Sequence, residues 1–410
     1  MTKQPVCRAS KQRLLYMMNP VSNLQSVTKL ILVIISVLLI TSCSNNTPTP
    51  QQRDMKVWLE KSKLTAHETP EQLYKAALKE DTLTIYSIST RILEVKKSFE
   101  KQYPGLTVEA HDIRTSDLID SLRENYRQQK YTCDISIFTD SDTIISRDLI
   151  PNGILYKYVP YDIEKNILPD HNTDQLEFLG EIIQIFYNDE VYKKSPVTNW
   201  WELTEPRFKG KVYIADPNRS NSTFATLCEI VQNSDEMAKA YRDLYGKDLI
   251  IPVGSSAGKI FLQKLVENNL KQVNSSDEVV VAVGTPGQTD PPVGILISSK
   301  VRTRDIGYAL APVFDAQPKV GTYVPNSAMI VGGAPNINSA KLFIRWLLGE
   351  TDGTGEGYKP YLQNGTWSVR SDVKSQSPLL LDQINLWKLD KDYIAANKED
   401  IMNYWISLQK

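Results

Sequence analysis

Gly254-Ser255-Ser256-Ala257-Gly258 is a stretch of this sequence that spells a nucleophile motif. G-x-S-x-G sets a serine on a sharp strand-to-helix turn, poised to attack an acyl carbon. Such a serine needs a base, and hydrolases of that chain order supply it from a histidine further on. The three histidines, His67, His111 and His171, all precede Ser256. A triad in that order cannot be assembled, so a hydrolase is set aside. The same stretch falls short of a phosphate loop, because Val253 replaces its first glycine and Ile260 its Ser/Thr. No H-E-x-x-H and no Rossmann glycine fingerprint occurs. The four cysteines, Cys7, Cys43, Cys133 and Cys228, form no C-x-x-C pair and have no histidines at zinc spacing. No enzyme activity, resident metal or cofactor is expected. Cys133, in a strand-like run, and Cys228, in a helix-like run, read as small core residues.

The remaining chemistry is that of binding. Hydroxyls and amides gather where strand-like runs hand over to helix-like ones. In the first part these are Ser87, Ser89, Thr90 and Arg91, then Arg114, Thr115 and Ser116, then Thr139, Asp140 and Ser141. Further on they are Arg219, Ser220, Asn221, Ser222 and Thr223, then Gly254, Ser255 and Ser256, then Thr285, Gly287, Gln288, Thr289 and Asp290. Each could be a plain cap or turn. Six junctions at the carboxyl ends of parallel strands instead suggest a polar cleft, since ligands of open α/β sheets bind there. Helix starts carry free N–H groups and a positive dipole end, which suit anions. Arg91 and Arg219 are the expected charged anchors, because a guanidinium grips phosphate or carboxylate with two hydrogen bonds.

The elements that must position these groups alternate. Leu83–Tyr86, Leu106–Ala110 and Asp134–Phe138 read as strands, with helices over Arg91–Gln102 and Asp117–Tyr126 between them. Glu177–Tyr187 is a long extended run. Lys211–Ala215, Leu249–Val253 and Glu278–Val283 read as strands, and Thr223–Gln232 and Lys259–Asn268 as helices. Gly307–Val313 and Thr322–Val331 are extended, Asn338–Leu348 is an amphipathic helix, and Pro378–Lys410 reads as helical. Alternation of this kind predicts α/β architecture with mostly parallel sheets.

Composition closes off other classes. Lys and Arg total 47 against 48 Asp and Glu, a net charge of −1, with no basic stripe, so no nucleic-acid partner is expected. At 410 residues the chain holds about two or three domains. Leu30–Ile40 is an apolar run too short for a bilayer span, which takes roughly 20 residues, and it has the shape of a secretory signal. It leads into Ile40-Thr41-Ser42-Cys43, which resembles the bacterial lipoprotein box. That resemblance implies an acylated Cys43 as mature N-terminus and anchorage to a bacterial membrane, at the periplasm or cell surface. Residues 1–42 are then the signal peptide, and 43–79 a lipidated tether, flexible over 44–53, followed by a helical segment.

Several strings, in order and spacing, resemble the class II solute-binding proteins of ABC transporters, in the branch with ferric-ion, sugar-phosphate, phosphonate and thiamine binders. They are Tyr187-Asn188-Asp189, Trp201-Glu202-Leu203, Phe208-Lys209-Gly210-Lys211-Val212 and Asp216-Pro217. Val253–Ala257, Tyr323–Ala328, Pro335–Leu348 and Thr366–Val373 continue the likeness. It implies a type II periplasmic-binding-protein fold: two α/β lobes, each a mixed, mostly parallel sheet flanked by helices, joined by a two-strand hinge. Lobe 1 would be 80–177 plus 310–410 and lobe 2 would be 178–309, with hinge strands near 178–187 and 307–313. Tyr323 joins the candidate ligand contacts. The implied function is capture of a small, oxyanionic solute by a monomer that docks on permease subunits. Iron is the family alternative. The iron binders place a tyrosine pair in the loop after the Glu278–Val283 segment, where this chain has Gly284–Asp290 without tyrosine. A ligand-sensing lipoprotein of a two-component system is the third reading.

Overall fold

The computed structural model describes residues 49–409. The signal-like run and Cys43 lie outside them. Contacts separate Met1–Arg53 from a body of Asp54–Lys410. Helix α1 (Pro50–Ser62) leads into the body and α2 (Pro70–Ala77) follows. The Thr69 hydroxyl and the Gln72 side chain cap each other's backbone at the start of α2, which buries Leu73 and Ala77.

The expected opening is present. Strand β1 (Leu83–Ser87), helix α3 (Ile92–Gln102), β2 (Val108–Asp112), α4 (Thr115–Gln128) and β3 (Ile135–Phe138) follow one another, with β1 parallel to both β2 and β3. β4 (Leu155–Tyr156) is short, and β5 (Glu177–Tyr187) is an eleven-residue strand buried throughout except at Tyr187. Then come β6 (Val212–Ala215), α5 (Asn221–Gln232), α6 (Ser234–Tyr245), α7 (Ala257–Glu267), β7 (Lys271–Val273), α8 (Ser276–Gly284) and β8 (Val293–Ile297). The chain ends through β9 (Ala311–Pro312), β10 (Gly321–Val331), α9 (Ile337–Leu347), β11 (Trp367–Ser368), β12 (Leu386–Lys388) and α10 (Lys391–Ser407).

One sheet runs β2-β1-β3-β10-β5-β8-β6-β7. It reads the same from either end: a parallel trio, then a long strand, then its long antiparallel partner, then a second parallel trio. β10 pairs with β3 through Ser327–Ile330 and with β5 through Gly321–Ser327, while β5 pairs with β8 through Ile183–Phe186. The two long strands thus belong to both halves. In the first half Ile85, Ile135 and Ile137 pack with Ile92, Val95 and Phe99 of α3 and with Phe343 and Leu347 of α9. In the second, Ile183, Ile185 and Ile214 pack with Phe224 and Cys228 of α5 and Phe261 and Leu265 of α7. Cys133 is buried in a third cluster with Leu118 and Phe138. Both thiols are free, and burial raises their pKa, that of Cys228 to about 12.

The structure departs from the sequence reading at four places. Leu249–Val253 is an exposed loop, not a strand, with Ile250 89% exposed. Glu278–Val283 lies within helix α8. The partner of β5 is β10, whereas 307–313 contributes only the two residues of β9. The C-terminal segment contains a strand as well as a helix, and Trp387, Ile394, Ile401 and Trp405 are buried in the second half's core rather than closing the first.

The long strands approach each other closely. A Cβ on Gly321 would stand 2.0 Å from the Ile183 carbonyl oxygen, so only glycine fits there. Gly321→Ala is expected to lose about 2 kcal/mol through forced separation of the pair. A urea midpoint equal to that of the native protein would show that the strands yield freely.

Candidate functional site

Parallel strands aim their carboxyl ends the same way; the two trios run in opposite senses, and the loops that follow β3 and β6 meet. From the first half come the ends of β1 (Ser87–Arg91) and β3 (Thr139–Asp142). From the second come those of β6 (Asp216–Asn221), β7 (Asn274, Ser275) and β8 (Ser298–Arg302). The Asn221 amide donates to the Asp142 carboxylate at 2.9 Å, a direct bond between the halves. Arg219 donates to the Asn274 side chain at 2.6 Å, which ties the ends of β6 and β7 together.

Arg91 sits at the base of this region, at the start of α3, and is only 7% exposed. Its Nε donates to the Ser89 hydroxyl at 3.0 Å and its Nη2 to Glu181 at 3.2 Å, while its carbon lies 4.6 Å from the centre of the Tyr361 ring. Nη1 is buried without a partner. Glu181 is on β5, and its other oxygen accepts from Asn326 of β10 at 2.7 Å. Burial pushes the Glu181 carboxyl up, but the Arg91 charge and hydrogen bonds from Ser299, Asn326 and Arg91 outweigh it and hold it below the ordinary range. Arg302, donating to the Ser299 carbonyl at 3.1 Å, is shifted down by burial and then by the Arg91 charge, with Glu181, Asp277 and Glu94 opposing. Arg91 thus pairs with Glu181, and Arg302 lies within electrostatic reach of both, with Asp277 and Glu94 further carboxylates acting on it.

The facing wall is the start of α5. Ser220 caps it, its hydroxyl within 3.4 Å of the Thr223 N–H. Asn221, Ser222 and Thr223 form the first turn of this twelve-residue helix, whose leading N–H groups have no intrahelical acceptor. On the other side Ser141 is 1% exposed and its hydroxyl has no partner. Thr143 beside it holds a φ of 68°, a left-handed conformation costly for a β-branched residue. Asp140 is committed elsewhere: it accepts from the Ile145 and Ser146 N–H groups and from Gln175, and pairs with Lys391 at 3.4 Å.

So Ser87, Ser89, Arg91, Asp140, Ser141, Asn221, Ser222 and Thr223 are brought to one region. Ser87 is buried and bonded to Ser89, and Thr90 is exposed at its margin. Arg219 is exposed and occupied by Asn274. Thr115 and Ser116 start α4 at the end of β2, the outermost strand of the first trio, one strand farther from the centre.

The rest are placed elsewhere. Gly258 packs on Ile230 and Val231, at the far end of α5 from Asn221, about 15 Å along the axis. Ser255 and Ser256 go with it, and the Ser256 hydroxyl caps α7 by accepting from Lys259. Thr285, Gln288, Thr289 and Asp290 follow the carboxyl end of α8, away from the cleft. Gln288 donates to the Val283 and Thr285 carbonyls there, and Asp290 pairs with Lys211 at the foot of β6. Tyr323 lies opposite Ile182, and alternation along β5 puts it on the reverse face from Glu181. There it lines a cavity of about 1040 Å³ with His171, Glu177 and Trp367, its hydroxyl 3.3 Å from His171 Nδ1. Residues not anticipated are Glu181, Asn326, Asn274, Ser299 and Arg302. Glu181 gave a signal, a carboxylate inside an otherwise apolar strand.

Two parallel trios flanking a shared pair of long antiparallel strands, with helices packed on each half, define a two-lobed periplasmic-binding-protein fold. Solved structures agree. The periplasmic binding protein P5PA superposes with a TM-score of 0.61 at 19% identity, over 81% of this chain and 100% of that one. Iron-bound HitA from Pseudomonas aeruginosa gives 0.60 at 15% identity, over 80% and 99%. AfuA from Actinobacillus pleuropneumoniae, with fructose-6-phosphate bound, gives 0.59 at 19% identity, over 80% and 98%. A Haemophilus influenzae protein described as uncharacterized is 28% identical over 213 residues, 50% of this chain and 54% of that protein. This chain therefore spans about half the length of that curated relative. The chain belongs to the bacterial extracellular solute-binding protein family, whose profile matches residues 81–353.

Proposed function

We propose that the protein captures a small oxyanionic solute between its lobes and presents it to the permease subunits of an ABC importer. The observation that carries this reading is Arg91 Nη1, a buried cationic donor with no partner, beside a second guanidinium and across from the open start of α5. A buried donor left unpaired costs about 1–3 kcal/mol, and an anionic oxygen placed there recovers that cost. The α5 N–H groups add a second anchoring point from the other lobe. A ligand touching both lobes favours their closed arrangement by its difference in affinity for the two states.

Iron is the alternative reading; the Gly284–Asp290 loop holds no tyrosine. Among the described residues, no group of three or more His, Cys, Asp and Glu side chains is placed to hold a metal ion. A thermal-shift panel of inorganic phosphate, a phosphorylated sugar, a phosphonate, thiamine and ferric citrate tests the choice. Stabilisation by an oxyanion is expected, at about 3 kcal/mol for ligand at a hundred times its Kd. Stabilisation by ferric ion alone, with a coloured complex, would overturn the reading. We also propose that acylation of Cys43 holds the protein at the outer face of a bacterial membrane. A mature N-terminus at any residue other than Cys43, read by mass spectrometry, removes that proposal.

A further inference from the structure

The C-terminal segment crosses the molecule in a way that neither fold nor family assigns, since the family profile ends at residue 353. It begins at the hinge. β12 adds to β10 in parallel, pairing Leu386, Trp387 and Lys388 with Gly321, Thr322 and Tyr323. It then commits to the second lobe. Trp387, Ile394, Ile401 and Trp405 are all buried against α5 and α7, and the Trp387 indole donates to Glu236 at 2.9 Å. Gln232 of α5 donates to Asp390 at 2.7 Å. Toward the first lobe the same helix offers ion pairs and a hydrogen bond. Lys391 reaches buried Asp140 at 3.4 Å, Asp392 pairs with Arg147, and Lys398 donates to the Asp142 carbonyl at 3.2 Å. These three partners lie on the loop and turn that follow β3, the lip that carries the Asn221 contact, and Lys391 also pairs with Asp174, just before β5, at 3.8 Å.

A large apolar dock on one lobe and a few partly solvated ion pairs on the other form an attachment that is permanent at one end and releasable at the other. Surface ion pairs are weak and screened by salt, whereas buried aromatic and aliphatic side chains are not. We propose that residues 389–408, which follow the hinge strand β12, form a strap that travels with the second lobe and latches the lip of the first, so that Lys391, Asp392 and Lys398 set the balance between closed and open lobes. This rests on the reading that the lobes open and close on a ligand. The strap lowers the free energy of the closed state before any ligand arrives, and so raises apparent affinity.

The test reads the interlobe distance in ligand-free protein. Spin labels go on the exposed positions Asp120→Cys of α4 and Asp235→Cys of α6. Lys391→Glu and Lys398→Glu are each expected to add a longer distance to the native distribution. Arg147→Asp is expected to do the same, and Arg147→Asp with Asp392→Arg to reverse it. High salt should shift the native protein the same way. A urea midpoint close to native identifies the variants that have folded, and Lys391→Gln serves if Lys391→Glu does not. Distances unchanged in all the folded single variants would overturn the strap. So would failure of the charge swap to restore the native distribution. Because no ligand is present, failure of the solute panel leaves this result readable, and a static strap leaves the panel readable.

Discussion

Arg91→Ala is expected to remove solute binding by at least about a hundredfold and to destabilise the folded protein by about 3 kcal/mol. The two losses have different origins. Binding goes because the unpartnered Nη1 goes, and charge-assisted bonds to an anion are among the strong ones. Stability goes because Glu181, 4% exposed, keeps its charge but loses the nearer of its two guanidinium neighbours. Breaking a buried pair from one side costs about 3–5 kcal/mol, and Arg302 nearby places this case at the low end. In the native protein Glu181 has a lowered pKa, so it contributes stability above the ordinary carboxylate range and loses it on acidification. In Arg91→Ala burial dominates and the carboxyl rises, so the variant should recover stability as pH falls. Arg91→Ala with Glu181→Gln separates the roles. Its urea midpoint should return toward native while binding stays absent. If binding returns with the midpoint, Arg91 positions Glu181 and does not touch the solute.

The first half of the fold was legible because its signals are local. Leu83–Tyr86 alternates, Pro104-Gly105 stops α3, and the strands around them are short and apolar. The second half misled at one segment with consequences for the site. Glu278–Val283 is rich in valine and reads as a strand, yet Ser275 and Glu278 stand at the spacing of a capping box. In the structure the Ser275 hydroxyl accepts from the Glu278 N–H, and Val279, Val280 and Val283 fall on one buried helical face. Packing overrides the weak propensity of valine. Reading that helix as a strand turned the local direction around. The loop after it was assigned to the cleft, whereas Asn274 and Ser275 before it are there.

Leu249–Val253 misled for a different reason. An apolar run predicts burial only if something covers it, and Ile250 and Val253 project from a loop, 89% and 107% exposed. The sequence names Tyr323 as a candidate contact but not its face, and a single-residue register sets it on the side of Ile182, away from Glu181. The contacts that matter most at the base of the cleft, Arg91 to Glu181 to Asn326, join residues 90 and 145 positions apart in sequence. No local pattern encodes such pairings.

Glu229→Gln should make the protein more stable above neutral pH and about 1 kcal/mol less stable in acid. Glu229 is on α5, 1% exposed, where the strap begins. It accepts from the Asp390 N–H at 3.1 Å and from the Asn233 amide at 3.3 Å, with no cation bonded to it. Burial, reinforced by the Asp390 carboxylate and only partly offset by those two bonds, raises its pKa to about 7. A carboxyl raised from the ordinary 4.5 binds its proton more tightly when folded. Stability therefore falls as pH climbs from about 4.5 to about 7, by about 3 kcal/mol in all, and stays low beyond. Glutamine removes the ionisation but turns an amide toward the Asn233 donor, which costs about 1 kcal/mol. A net gain of about 2 kcal/mol at pH 8 remains. The loss in the native protein falls on the junction between α5 and the strap, so acid should tighten the strap as well as the fold. Urea midpoints followed from pH 4 to 8 decide it: curves for Glu229→Gln and native protein that run parallel would place the ionisation of Glu229 outside the folding equilibrium.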